Sequence, residues 1–503
     1  MSPFLKYCAP LGLLLLGLGC SDGFGTLRVS SVLRVNIKTK DLGSREQRLP
    51  ISVLTPSKFD ISIEAIDRNG EVDTNFSGYV RLSTQPGTIQ SLTGAGVDGR
   101  SVLLTDGVAD NLSLDLIATY GDTFVWAEDS GYEPVAVSDV PSCSNGIDDD
   151  GDGLVDFPVD PGCAFANDNS EESGTFAAGS SVPIFFALPR IADVRGVELG
   201  GGSTSYPNEQ VRIDTGYNSL TNKFGFRTVV TRLAQDGFFA TDLEDSRGYS
   251  SVFAFTFSTP PDLQPCDILT SLTGTAYDFF GFTELNFPTW TIQRWSGKDE
   301  DCLVPVPQVL ESTKLASEQA KQSLVSGLVR VYTGKFERRD RSGNVVETTD
   351  TTVSIGTHFG PEIPASGIPG DNASNCDING DGQVDFYTEP EKSCSSQCEA
   401  DVQCTDWTSY SQRSTFNLIV TDNAAGGAAR KIQVDGTVSS SLRPLSLKGK
   451  TIKAFTGDLR YFSGGNQYTI VAGCPADIVT DLTKDVDPKA CFFRTDSTTD
   501  DPQ

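Results

Sequence analysis

Along residues 51–140 the chain alternates apolar and polar positions with a period of two. Phe59, Ile61, Ile63 and Ala65 fall on one side of such a run, and Asp60, Ser62 and Glu64 on the other. Leu112, Leu114, Leu116 and Ala118 repeat the pattern, and Phe124 and Trp126 follow it. Successive side chains of a strand point to opposite faces, so this spacing predicts half-buried β-strands. Asp67-Arg68-Asn69-Gly70 and Thr105-Asp106-Gly107 supply turns between them. Two further β-rich stretches cover 183–300 and 308–494, separated from the first by a polar linker at 164–182. One helix is predicted, between Leu310 and Leu324, where Ala, Lys, Glu and Gln are dense and a narrow apolar stripe includes Leu315. Residues 20–50 read as a polar tether, 360–408 as a cysteine-rich insert and 495–503 as a disordered acidic tail.

Ile63-Glu64-Ala65-Ile66-Asp67-Arg68-Asn69-Gly70, followed by Phe76-Ser77-Gly78-Tyr79-Val80-Arg81-Leu82, resembles bacterial immunoglobulin-like surface domains. That resemblance implies a β-sandwich over 51–140, a module that spaces or displays others. Gly237-Phe238-Phe239-Ala240-Thr241-Asp242, Val252-Phe253-Ala254-Phe255-Thr256-Phe257, Gly274-Thr275-Ala276-Tyr277 and Phe282-Thr283-Glu284-Leu285 come in the order of extracellular bacterial OB-fold domains, which they resemble. Leu324 to Val331, Thr415 to Asp422, Phe455 to Phe462 and Tyr468 to Ile470 outline a second such module, interrupted by the insert. The expected fold is therefore mainly β: an Ig-like sandwich followed by two OB-like barrels, with acidic loops and one short helix.

The first nineteen residues hold one basic side chain, Lys6, and the apolar run Leu11 to Leu18, which is signal-peptide length. Leu18-Gly19-Cys20 resembles the lipobox of bacterial lipoproteins. The resemblance implies cleavage after residue 19, lipidation of Cys20, and a lipid-tethered protein of the outer membrane or cell surface. Of twelve cysteines, Cys8 would leave with the signal and Cys20 would carry lipid. The other ten are an even number, which in an exported chain reads as disulfides. Spacing suggests Cys143–Cys163, Cys266–Cys302 and Cys474–Cys491, with two bridges among Cys376, Cys394, Cys398 and Cys404. A zinc cluster at the last three is disfavoured by export and by the lack of a nearby histidine.

Composition narrows function. With 67 acidic and 39 basic side chains the net charge is −28. Phosphate polymers would be repelled, so nucleic acid is not the expected partner. Lys335-Phe336-Glu337-Arg338-Arg339-Asp340-Arg341 is the nearest thing to a basic patch, and its interleaved acids make it a solvated hairpin. His358, the one histidine, has no nucleophile motif beside it, and the chain is not expected to be an enzyme. Phe253, Phe255, Phe257, Tyr277, Phe279, Phe280 and Phe282 supply a stacking face, half of which alternation assigns to the core.

The motif richest in chemistry runs from Cys143 to Cys163 and contains Asp148-Asp149-Asp150-Gly151-Asp152-Gly153-Leu154-Val155-Asp156. Aspartates two apart at 148, 150 and 152 converge in a tight loop, Gly153 permits its sharp turn, and Asp156 stands at the ninth position. Hard oxygen ligands in this spacing suit Ca²⁺. Val159 occupies the twelfth position, so Asp160 is expected to serve from one place later. With its flanking cysteines the segment 141–172 resembles thrombospondin type 3 calcium repeats and loops of myxobacterial lipoproteins. A second loop, Asp377-Ile378-Asn379-Gly380-Asp381-Gly382-Gln383-Val384-Asp385, fits nine positions of an EF-hand or dockerin-type loop, with Thr388 at the twelfth and Glu389 or Glu391 close by.

These readings combine in a calcium-stabilised envelope lipoprotein that binds, adheres or scaffolds without catalysis. Its partners would be the membrane, through the lipid anchor, and a glycan or envelope protein. The alternative is an oligonucleotide-binding or nuclease-accessory OB-fold protein. A hydrolase would need a carboxylate pair that the sequence does not locate.

Overall fold

The computed structural model describes residues 30–133, 139–171, 176–216, 225–298, 302–305, 307–339, 345–355, 415–423, 427–436, 438 and 451–480. It is mainly β and divides into two compact units, one of residues 1–47, 56–117 and 122–185, the other of 48–55, 118–121 and 186–503. No helix among the described residues is long and apolar enough to cross a membrane.

The first unit holds β1 (Ser30–Ile37), β2 (Ser57–Asp67), β3 (Tyr79–Gln85), β4 (Thr88–Thr93), β5 (Val97–Asp98), β6 (Ser101–Leu103), β7 (Val108–Ile117), β8 (Asp122–Tyr132), β9 (Gly179–Ser180) and β10 (Ile184–Phe185). They form two antiparallel sheets, β1-β2-β7-β4 and β10-β8-β3-β6-β5, with β9 also paired to β8. Phe59, Ile61, Ile63 and Ala65 are buried on β2, and Leu112, Leu114 and Leu116 on β7, as period two requires. Register pairs Ile61 with Leu112 and Ile63 with Ala109. The offset is a bulge at Asn111, φ +55°, which lets Ala109 and Leu112, three apart on β7, both be buried opposite the two isoleucines.

On β8 the expected register is reversed. Thr123, Val125 and Ala127 are buried, while Phe124 is half-buried and Trp126 is 39% exposed. Residues 20–50, read as a tether, carry β1, where Leu33 and Val35 are buried. The stretch read as a linker carries β9, and β10 at the start of the second β region pairs with β8.

The second unit opens with α1 (Ile191–Val194), too short for a periodic signature, then β11 (Gln210–Arg212), β12 (Thr228–Ala234), β13 (Gly237–Asp242), β14 (Ser251–Phe255), β15 (Ile268–Phe279) and β16 (Phe282–Gln293). Strands β12, β13 and β14 form a meander, β14 pairs parallel with β16, and β15 pairs with both β16 and β12. Those pairings close a ring of five strands, with β11 appended to β15. There follow β17 (Gln308–Val309), α2 (Ser312–Ala316), α3 (Glu318–Leu324), β18 (Leu328–Tyr332), β19 (Gly334–Arg339), β20 (Val345–Ile355), β21 (Thr415–Asp422), β22 (Ala429–Asp435), β23 (Ala454–Phe462), β24 (Gln467–Val471) and β25 (Ile478–Val479). Here β20, β21 and β22 form the meander, β22 runs parallel to β24, and β24 pairs with β23 and β23 with β18. The two sheets thus share a meander followed by a parallel pair, while among the described residues only the first closes on itself. The Lys335–Arg339 stretch lies on β19, in a hairpin with β20.

Every residue of β13 is buried, because opposite faces of the strand meet two cores. Phe238 packs with Val230, Val252 and Leu285, whereas Phe239 joins Val353, Phe416 and Phe455 of the second sheet. Between the same sheets, Arg232 on β12 pairs with Asp458 at 3.0 Å and with Asp477. The predicted single helix is two. Ser317 is extended (φ −101°, ψ 117°), and its hydroxyl accepts from the Ala320 amide at 3.2 Å to cap α3. Serine competes for backbone groups in this way, and here the cap interrupts the run.

Candidate metal centre

In the first unit the acidic loop is closed at its neck. Cys143, buried in a 3₁₀ turn at Ser142–Ser144, is bonded to Cys163, with their Cα atoms 5.7 Å apart. The Phe157 amide donates to the Cys143 carbonyl at 3.0 Å, holding the two limbs together. Between them the chain turns on its own carboxylates. Asp148 accepts from the Gly151 amide at 2.7 Å and the Gly153 amide at 2.9 Å, Asp150 from the Asp152 amide at 3.0 Å, and Asp152 from the Leu154 amide at 2.7 Å. Gly153 sits at φ +93°, in the left-handed region that side chains disfavour.

These turns bring carboxylate oxygens of Asp148, Asp150 and Asp152 within 4.8 Å of one another. Burial raises the pKa of the Asp150 carboxyl, opposed in part by the Asp152 amide and reinforced by the charges of Asp152, Asp160 and Asp148. Asp160 is only 2% exposed. Its Oδ1 accepts from the Gly162 amide at 2.6 Å, and its Oδ2, also buried, has no hydrogen-bond partner among the described residues.

The ninth-position residue ties the far limb of the loop to its start. Asp156 accepts from the Asn145 amide at 3.0 Å and from the Gly146 amide at 2.8 Å, pinning the loop's entry. Like Asp148, it accepts backbone amides on both carboxylate oxygens.

Glu171 was not singled out by spacing, and it is central. Buried at 2% exposure, it accepts from the Asp149 amide at 2.6 Å and from the Asp156 amide at 3.2 Å. Its carboxylate lies with Asp160 and the Cys163 sulfur within 4.8 Å. That sulfur is in the disulfide, so Asp160 and Glu171 are the oxygen donors of the group. The close approach depends on Gly162, since a Cβ there would meet the Glu171 carbonyl oxygen at 1.5 Å. No local pattern links residue 171 to a loop ending at 163; only the folded return path does. Asp168, fully buried, accepts from the amides of Glu133, Ala164 and Ser170 and braces that path, with burial foremost in raising its pKa.

The arrangement concentrates hard anionic oxygens in a cross-linked frame with no thiolate or imidazole. It has the donor chemistry of a hard divalent cation. Cys20, the loop at Asp377, Asn379, Asp381 and Asp385, His358, and Cys376, Cys394, Cys398, Cys404 and Cys491 lie outside the described residues. Cys266 and Cys302 are bonded to each other, and Cys474 is also disulfide-bonded.

No family model matches the chain, and no curated protein matches it. Among solved structures, the crystal structure of dimeric latent PorU from Porphyromonas gingivalis is similar at 12% identity and a TM-score of 0.16, covering 52% of this chain and 29% of that one. A likeness of that size carries no argument about fold or function.

Proposed function

We propose that this chain is a calcium-stabilised, lipid-anchored protein of the cell envelope that binds or scaffolds without catalysis. The observation that carries the calcium reading is the buried, unpartnered Oδ2 of Asp160, whose charge acts on Asp150 beside Asp148 and Asp152. A buried anionic oxygen without a partner is costly, and a cation would both satisfy it and convert the mutual repulsion into attraction. Asp148, Asp150, Asp152 and Asp160 would hold the ion, with Glu171 beside them and Asp156 shaping the loop. The 377–385 loop is a second site of the same chemistry. In both, Ca²⁺ supplies structure and no reaction step.

The lipid anchor rests on Leu18-Gly19-Cys20 and the apolar run before it. Supporting an Ig-like first unit are its two antiparallel sheets. OB-like barrels are supported by the closed ring of five strands, with its meander and one parallel pair, and by the recurrence of the meander and the parallel pair, though not of the ring closure, in the second sheet. Such folds serve many functions, so the binding role rests on the sites and not on the architecture.

The test is a thermal melt of the full chain with millimolar Ca²⁺, with Mg²⁺ and with chelator. Melting should rise with Ca²⁺, fall with chelator and respond poorly to Mg²⁺. If calorimetry and melting are both indifferent to Ca²⁺, the loops are acidic turns and the reading fails. Replacing Cys20 with Ala should release the protein from membranes; retention of the variant would sink the anchor.

A further inference from the structure

The second unit contains a cleft of about 910 Å³ that the calcium reading does not use. Strands β14, β15 and β16 form one wall, and β22, β23 and β24 form the other. Aromatic side chains crowd it. Tyr277, Phe279 and Phe462 line the cleft yet remain 40%, 49% and 47% exposed. Phe280 bridges the walls, with its ring 5.0 Å from Phe279 and 5.4 Å from Phe462, and its carbonyl accepts from the Ser463 amide at 2.8 Å. Exposed aromatic rings gathered on one surface mark a place where a ligand displaces water.

Polar groups stand among the rings. Glu284, only 7% exposed, accepts from the Asn286 side chain. Asn286 Oδ1 is buried and has no hydrogen-bond partner among the described residues, and the same is true of Arg460 Nε. The Arg460 guanidinium is held over the rings of Phe239 and Phe253 at 5.3 and 5.1 Å, with Asp236 3.8 Å away. Gln433 and Asp435 contribute further polar groups from β22. Those two atoms are enclosed, so the groups a ligand meets are the other polar atoms of these side chains that line the cleft.

Charge decides the ligand class. Asp236, Glu284 and Asp435 face the cleft against Arg460, its one cation among the described residues. A phosphate polymer would meet the carboxylates of Asp236 and Asp435, and part of the charge of Glu284, in a chain already at −28. A wholly apolar ligand would take the polar lining, Asp236, Gln433, Asp435 and the Arg460 guanidinium, out of water without replacing its hydrogen bonds. What suits both the rings and the polar lining is a molecule with flat C–H faces and a rim of hydroxyls. Resting on the reading of this chain as a binding protein, we propose that the cleft binds an uncharged oligosaccharide, with sugar faces on Tyr277, Phe279 and Phe462 and hydroxyls on Glu284, Asn286 and Arg460. Burial, then the nearby Asp236, pushes Glu284 up to about 7, so near neutrality it can donate as well as accept.

The experiment is calorimetric titration of the full chain in millimolar Ca²⁺ with cellohexaose, chitohexaose, maltohexaose and xylohexaose. Heparin and an oligo-dT strand are the anionic controls. At least one uncharged hexasaccharide should bind. Phe279→Ala and Phe462→Ala should each weaken it by about tenfold, the scale of one lost stacking contact. Glu284→Gln should weaken it by a comparable factor. Both phenylalanines are half exposed, so their variants should keep the wild-type melting temperature. No uncharged sugar binding up to about 1 mM, binding untouched by these variants, or preference for an anionic control would overturn the proposal. The acidic-loop aspartates belong to the other unit, so Asp150→Ala should abolish that loop's calcium response and leave sugar affinity unchanged. A failure here is therefore distinct from a failure of the calcium reading.

Discussion

Asp160 and Asp156 are four residues apart in one acidic loop, and their carboxylates face opposite demands. The buried Oδ2 of Asp160 has no hydrogen-bond partner among the described residues, whereas Asp156 is saturated by the amides of Asn145 and Gly146. Their asparagine variants should therefore behave differently. Asp160→Asn removes a charge that repels Asp150, so with chelator present it should melt at or above wild type. In millimolar Ca²⁺ it should melt below wild type, and the crossing of the two curves is the readout. A calcium response equal to wild type would show that this oxygen is no ligand. Asp156→Asn loses charge-assisted bonds worth about 1.5–3 kcal/mol, and it should do so equally with Ca²⁺ and with chelator. Chemical denaturation in both buffers separates a ligand from a scaffold residue.

Strand β8 and the Arg232 junction show what elements add. Val125 is fully buried while Trp126 is 39% exposed, although the tryptophan is by far the more apolar mass. Val125→Ala should cost about 1–3 kcal/mol and Trp126→Ala less than about 1, measured by urea midpoints. The reverse order would mean that β8 is read in the wrong register. At the junction of the second unit's two sheets, Arg232 pairs with Asp458 and Asp477, all three buried, and the charge of Arg460 also acts on Asp458. Arg232→Met would break both buried ion pairs and should cost about 3–5 kcal/mol. Adding Asp458→Leu should recover part of that loss, because a buried charge is then removed as well.

At the scale of the whole molecule, two units with separate sheets predict two thermal transitions. At a hundredfold excess of Ca²⁺ over its dissociation constant one site adds about 2.7 kcal/mol, or roughly 5–10 °C for a unit of this size. Asp148→Ala with Asp150→Ala should remove that shift from the first unit's transition only. Acidity acts on the second unit through Glu284. Its pKa lies near 7 against an ordinary 4.5, because of burial first and then Asp236, with Arg460 opposing. Between those values the native carboxyl holds a proton that the unfolded one has lost. Its contribution to stability is complete below pH 4.5 and fades as pH rises to 7. Glu284→Gln should flatten that part of the stability profile relative to wild type.

Phe59-Ile61-Ile63 and Leu112-Leu114-Leu116 declared their strands and their inner faces in the sequence alone, because a strand's period is a local property and only one face of each was apolar. Two disulfide pairs were legible from spacing and parity, and the convergence of Asp148, Asp150 and Asp152 from their i, i+2 spacing. Where both faces of a strand carry apolar mass, period two names no inside: on β8 the rings of Phe124 and Trp126 lost the core to Val125 and Ala127, and on β13 Phe238 and Phe239 each found a different core. The helix stopped at Ser317 because a side-chain cap competed with continuation, a contest that propensity does not resolve. Glu171 and the Glu284–Arg460 cleft were invisible for a deeper reason. Their members come from segments separated by many residues, and carboxylates acquire burial, unmatched oxygens and raised pKa values only when the chain's return path encloses them.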